Sequence, residues 1–324
     1  MIGIIVKLAA TILLIWFVFR GRDISTLLDQ MTKMDWRAPA ASILILVMLS
    51  PLFTWRWSAI LSALGYPRRF RALFPIVWIG IFFTQTIPSG LGGDVARIWL
   101  LHKTKLPGAI AVSSMLIDRL LGILAILLFV VVSAVQLASL RIEPSLVYGV
   151  VALAVLVAWG FVVLLMLDLL PAGLRRHRSV NILAQFSAHL RGILLSPALL
   201  WRPCIYSILI QLALALTAYL LAQGLGLGIT LAACLVIVPI SNLVQAVPIS
   251  VGGWGLREGF FLLAFGQVGV AEADALTLSV LFGLCNLLAS LPGAVVWLAY
   301  GRRSVAGPDD AIGKPVQKSS LNAS

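Results

Sequence analysis

Charge is scarce in this sequence. Only 11% of its 324 residues are Asp, Glu, Lys or Arg, and 12 are acidic against 24 basic. Soluble domains carry about 25% charged residues, so a fully water-exposed surface cannot be built from this composition. Histidine and cysteine are scarce too, with three of each. Cys204, Cys234 and Cys285 lie in apolar runs, and none has a partner at metal-ligand spacing. They read as buried free thiols rather than a zinc site or a disulfide framework. His102, His177 and His189 are scattered near basic residues, which suits lipid-headgroup level better than ligation or catalysis. No metal and no cofactor is implied.

What is abundant is apolar: 61% of residues are hydrophobic and the mean hydropathy is +1.05. The chain therefore reads as an all-α polytopic integral membrane protein. Its net charge of +12 sits in short loops between apolar runs. There it sets topology and meets anionic lipid, and it argues for no nucleic-acid partner. Lys7, the apolar run Leu8 to Phe19 and Arg20-Gly21-Arg22 resemble a signal peptide weakly. No small-x-small cleavage site closes the run, so a retained first span is expected.

One stretch occurs twice. Gln85-Thr86-Ile87-Pro88-Ser89-Gly90-Leu91-Gly92-Gly93-Asp94-Val95-Ala96-Arg97 aligns without a gap to Gln245-Ala246-Val247-Pro248-Ile249-Ser250-Val251-Gly252-Gly253-Trp254-Gly255-Leu256-Arg257, at an offset of 160 residues. Proline removes a backbone donor and glycine permits positive φ, so each copy stops a helix. In hydrocarbon such a break is tolerated only in protein or beside a wet cavity. Paired breaks in matching halves point to a transporter's binding site.

Around these breaks the order of elements repeats. Full spans are expected at Ile2–Phe19, Pro39–Leu64, Ala109–Leu137, Leu146–Leu167, Pro203–Leu221 and Ala273–Tyr300. Amphipathic interfacial helices are expected over Asp23–Lys33 and Ile182–Leu195. Trp55-Arg56-Trp57 reads as an interfacial belt. The runs Ala72–Ile87 with Asp94–Leu101, and Leu231–Val247 with Trp254–Phe265, read as re-entrant helical hairpins. Loops 65–71, 102–105, 173–178 and 301–303 are basic and expected in the cytoplasm. Loops 141–145 and 224–228 are nearly neutral and expected outside. The awkward loop is 20–37, of mixed charge, placed outside by alternation. Both termini then lie in the cytoplasm. Three crossings per half invert one half relative to the other: two inverted repeats, about 1–140 and 145–303, six spans and two hairpins in all. Together they make one transmembrane domain over 1–303. The polar stretch 304–324 is expected to be a disordered cytoplasmic tail.

Candidate substrate-binding residues follow from the broken helices. Gly92, Gly93, Gly252 and Gly253 begin the return arms, where backbone N–H groups and the helix dipole attract anions. Pro88 and Pro248 set the breaks. Arg97 and Arg257 lie one turn in and suit a bidentate phosphate clamp. Gln85 and Gln245 offer amide hydrogen bonds. Asp94, Asp118, Arg119 and Glu258 are costly in a span without partners. The purely structural pairing joins Asp94 to Arg97, Asp118 to a neighbouring arginine, and Glu258 to Arg257 or Arg119. Asn242 and Asn286 read as helix–helix glue.

Pro88-x-x-Leu91-Gly92-Gly93-Asp94-x-x-Arg97, then Asp118-Arg119-Leu120-Leu121, together with Pro248-Ile249-Ser250-Val251-Gly252-Gly253-Trp254-Gly255-Leu256-Arg257-Glu258, resemble the transmembrane region of lysylphosphatidylglycerol synthases and their stand-alone relatives. The resemblance spans about residues 5–300; the family often has Glu at the place of Asp118. In two-domain members this region is a flippase for aminoacylated phosphatidylglycerol, followed by a soluble aminoacyl-transferase domain. The resemblance implies the flippase-like part without the synthase.

The leading expectation is a lipid translocase of the bacterial inner membrane, moving an anionic or lipid-linked phosphate headgroup. Its partners would be a membrane phospholipid or lipid-linked substrate and a separately encoded lipid-modifying enzyme. One alternative is a membrane-embedded polyprenyl or lipid phosphate enzyme, with Ser89 or Ser250 as nucleophile and Asp94 or Glu258 as base. Against it, no serine neighbours a histidine, and the two serines do not match at the offset. A further alternative is a proton-coupled small-solute transporter using Asp94, Asp118 or Glu258.

Overall fold

A computed structural model describes residue 16 and residues 24–87, 92–137, 144–169, 178–245 and 253–303. The expected first span over 2–19, the tail after 303, and motif residues 88–91 and 246–252 lie outside the described residues, Pro88, Pro248 and Gly252 among them.

The described residues form helices: α1 (Ile24–Lys33), α2 (Arg37–Ala63), α3 (Phe70–Thr86), α4 (Gly92–Lys103), α5 (Gly108–Leu137), α6 (Pro144–Met166), α7 (Arg178–Leu194), α8 (Pro197–Gly224), α9 (Leu231–Gln245), α10 (Leu256–Gly266) and α11 (Glu272–Arg303). A short 3-10 turn, Leu167–Leu169, extends α6. Among the described residues four helices are long and apolar enough to cross a membrane: Arg37–Ala63, Gly108–Val132, Pro197–Gly224 and Glu272–Ala299. At 1.5 Å per residue, α3 with 17 residues and α9 with 15 reach about 25 Å and 22 Å. Both fall short of a hydrocarbon core about 30 Å thick.

Prolines sit inside several helices, and Pro51 in α2 shows how one is tolerated. Proline supplies no N–H to the carbonyl four residues back, here that of Val47. The Ser50 hydroxyl donates to that oxygen at 2.9 Å. Such side-chain replacement is how spanning helices keep their carbonyls satisfied in lipid.

The centre of the molecule is the contact of α2 with α8, its counterpart at the 160-residue offset. They run antiparallel. The Asp35 N–H bonds the Gly224 carbonyl at 3.1 Å, Ser42 Oγ lies 3.4 Å from the Thr217 carbonyl, and Arg56 reaches Ser207 at 3.2 Å. Ala215, Ala218 and Ala222 line α8 there, all fully buried. Lipid gives helices no hydrophobic reason to associate, so small residues that let backbones approach carry the packing.

The remaining contacts come in matched sets. α3 packs on α4 as α9 does on α10, and α3 on α11 as α9 on α5. α2 packs on α3 as α8 does on α9, and α4 on α5 as α10 on α11. α4 turns back along α3: a Cβ on Gly93 would strike the Gly80 carbonyl and Thr84, and one on Gly92 would meet Phe83 and Ile87. The outer helices are tied by side chains. Gln30 of α1 donates to Asp274 at 2.6 Å and accepts from Thr277 at 2.5 Å, both on α11. Arg191 of α7 pairs with Asp168 at 2.8 Å.

Cys234 and Cys285 are buried free thiols, while Cys204 is half-buried. Asn242 does act between helices, donating to Gln211 of α8 at 3.1 Å. Asn286 bonds the Phe282 carbonyl of its own helix instead. The belt expected at Trp55-Arg56-Trp57 is only partly one. Trp55 is exposed, but Trp57 is fully buried with its indole N–H on Ser114, and Arg56 is buried.

Candidate functional site

The first motif arginine stands apart from the second. Arg97 lies on α4, one turn past the glycine pair, and is 7% exposed. Its side chain lies along α3 at Gly80, where a Cβ would collide with it. The Trp57 ring lies 5.9 Å from its guanidinium carbon. Its nearest carboxylate oxygen is on Asp118, 3.7 Å from Nη1, beyond hydrogen-bond reach. Its Nε is buried with no hydrogen-bond partner. Burying a charged donor without partners is costly.

Asp118, on α5, is engaged elsewhere. Arg56 of α2 grips it in a fork, Nε to Oδ1 at 2.7 Å and Nη2 to Oδ2 at 2.9 Å, and donates through Nη1 to Ser207 of α8. This is the bidentate geometry that makes an arginine–carboxylate pair strong. Asp94, on the first turn of α4, pairs with Arg119. The sequence-level pairing of Asp94 with Arg97 is therefore replaced. Which carboxylate faces which arginine depends on the helix lying opposite, and α5 presents Arg119 to Asp94.

The second motif is closed on itself. Arg257 donates to Glu258 Oε1 through Nη2 at 2.6 Å and Nε at 3.1 Å. Glu258 Oε2 accepts the Gly255 N–H at 2.5 Å, reaching back over the start of α10 as a capping glutamate does. Ser279 of α11 adds a hydroxyl, and a Cβ at Gly283 would collide with the guanidinium. The Trp254 ring lies 4.6 Å from it. Glu258 is 0% and Arg257 3% exposed.

Among the other sequence-selected residues, Gly92 and Gly93 are buried at the α3–α4 crossing. Gly253 has φ +79°, and a Cβ there would strike Gln245. Gln245 donates to both the carbonyl and the hydroxyl of Ser241, at 3.2 and 3.1 Å. Gln85 is half-buried on the last turn of α3. Arg56 is the site residue that sequence reasoning missed. The available signal was an arginine inside an apolar run; its two tryptophan neighbours disguised it as a boundary residue. No group of three or more metal-ligating side chains occurs among the described residues.

Comparison with known proteins agrees with this architecture. A UPF0104 membrane protein of Methanocaldococcus jannaschii is 30% identical over 90 residues, which are 27% of this chain and 27% of that protein. The match thus spans about a quarter of the relative's length. The family described as the lysylphosphatidylglycerol synthase TM region matches residues 4–293. With nearly its whole length matched, this chain is a multi-pass membrane protein that belongs to the lysylphosphatidylglycerol synthase transmembrane-region family.

Proposed function

We propose that the protein is a lipid translocase that carries an anionic, phosphate-containing headgroup between the leaflets of a bacterial inner membrane. The observation that carries this reading is Arg97: a guanidinium, nine-tenths buried, with its Nε unbonded and its nearest carboxylate held by another arginine. Arg56 and Arg97 both face Asp118, whose two oxygens are bonded by Arg56. A buried cation that hydrogen-bonds no carboxylate, in a chain of this composition, suits a ligand that brings a negative charge and its own apolar tail.

The inverted-repeat architecture is part of the proposal. Its support is the antiparallel run of α2 against its counterpart α8 and the pairwise matching of helix contacts between halves. The short α3 and α9, each with an arm folded back along it, suit hairpins that enter the membrane from opposite sides and turn within it. On this reading Arg97 meets the phosphate. Arg257, bonded twice by Glu258, braces the opposite arm. Gln85 and Gln245 stand on the last turn before each break, where an amide can reach a headgroup.

The test is leaflet exchange in proteoliposomes. Fluorescent phosphatidylglycerol is placed in both leaflets, and the fraction that dithionite quenches from outside is followed over time. The wild type exposes nearly all of the probe. Arg97→Ala, reconstituted to the same density and of the same size by gel filtration, leaves the inner half protected. Equal exchange by the variant and the wild type would remove Arg97 from the mechanism.

A further inference from the structure

Asp118 stands between two arginines and bonds only one. Both of its oxygens are taken by the Arg56 fork, at 2.7 and 2.9 Å, while Arg97 waits at 3.7 Å. The remaining Arg56 nitrogen is turned to Ser207 at 3.2 Å. Arg56 is thus occupied on three sides by protein groups from α5 and α8. We propose that Arg56 is a positioning residue for the anion site: by holding Asp118 it keeps that carboxylate from bonding Arg97 and leaves the Arg97 donors able to receive a headgroup phosphate. This rests on the reading of Arg97 as the phosphate-binding group.

The second half of the molecule supplies a contrast. Arg257 occupies the position matching Arg97, and a carboxylate lies within its reach, but among the described residues no second arginine pairs with that carboxylate. The result is direct pairing through Nη2 and Nε, at 2.6 and 3.1 Å. At position 216, which the offset matches to Arg56, the chain has Leu216. The offset also matches Asp118 to Leu278 and Ile98 to Glu258, so Arg257 meets a carboxylate on its own helix, whereas Arg97 faces one on another helix that Arg56 already holds. Arg97 is held in place without spending donors, by Gly80 behind it and the Trp57 ring beside it. A released Asp118 has only to close the gap from 3.7 Å to pairing distance to cancel it.

The experiment measures binding of dihexanoyl-phosphatidylglycerol to the full chain in detergent by isothermal titration calorimetry, with inorganic phosphate as a second probe. Arg56→Gln should weaken lipid binding about tenfold to a hundredfold, the loss of one charge-assisted contact. The double variant Arg56→Gln/Asp118→Asn removes the quenching carboxylate as well and should return affinity toward the wild type. That recovery is what a direct contact or a structural role for Arg56 would not produce. A double variant as weak as the single one overturns the proposal, and so does a single variant that binds like the wild type. Should Arg56→Gln fail to fold, Arg56→Lys tests the same point. It grips Asp118 through one nitrogen and should bind more weakly than wild type, with Asp118→Asn again restoring affinity; no restoration overturns the proposal. If phosphate alone reproduces the whole pattern and the lipid does not bind, the role of Arg56 stands and the lipid reading falls. A wild type that binds neither probe removes both.

Discussion

Removing the Glu258 side chain is the sharpest test of how the second motif is held. Its carboxylate is fully buried and collects the Gly255 N–H, two Arg257 donors and the Ser279 hydroxyl. Glu258→Ala leaves Arg257 buried, charged and wedged between Gly283 and the Trp254 ring, with no carboxylate in reach. Breaking a buried pair from one side costs about 3–5 kcal/mol, because the remaining charge stays desolvated. Replacing both members with apolar groups is far cheaper. Arg257→Met/Glu258→Leu should therefore regain most of what Glu258→Ala loses, less about 1 kcal/mol for the start of α10 losing its cap. The measurement is reversible unfolding in mixed micelles by titration with sodium dodecyl sulfate, followed by tryptophan fluorescence. If Glu258→Ala falls within about 1 kcal/mol of the wild type, or the double variant is no better than the single, the pair is not the buried, self-contained unit described above.

The first motif should answer in the opposite way. Arg97→Met removes a guanidinium that makes no strong bond, so the unfolding midpoint should stay within the range of about 1 kcal/mol while leaflet exchange is lost; a large loss of stability would show Arg97 to be structural. Gly93→Ala drives a methyl group into the Gly80 carbonyl, and overpacking of this kind should cost about 1–3 kcal/mol in the same titration, whereas Gly160→Ala, with open space around it, should cost nothing measurable. In a cysteine-free background, Tyr66→Cys and Lys103→Cys should react with a membrane-impermeant maleimide from the same side, and Gly228→Cys from the other. Labelling of residues 66 and 103 from opposite sides would make α3 and α4 a continuous crossing and end the hairpin proposal.

Helix positions were legible because lipid imposes a simple rule. A spanning helix must satisfy its own backbone and present apolar side chains over a fixed length. The runs expected at Pro39–Leu64, Ala109–Leu137 and Ala273–Tyr300 accordingly emerge as Arg37–Ala63, Gly108–Leu137 and Glu272–Arg303. The amphipathic helices expected at 23–33 and 182–195 likewise emerge as the helices Ile24–Lys33 and Arg178–Leu194. Charge pairing was legible only where it is local. Glu258 with Arg257 needs no tertiary information, since the partners are consecutive. Asp94 with Arg119, and Asp118 with Arg56, join different helices, and nothing along the chain says which helices will face each other. Arg56 was the larger miss. Trp55 and Trp57 point to opposite fates, one to the outside and one to the interior, and the same turn carries Arg56 inward.

The two ion-pair arrangements also differ in what displacement does to them. Consecutive residues travel together, so Arg257 and Glu258 keep their bond whichever way their helix shifts. Asp118 is shared property: its holder rides on α2, its neighbour on α4, and it rides on α5 itself. Sliding any one of the three changes which cation it serves. On the proposed reading, helix displacement in the first half would change ligand affinity, and the second half, with its pair on consecutive residues, would be deaf to it.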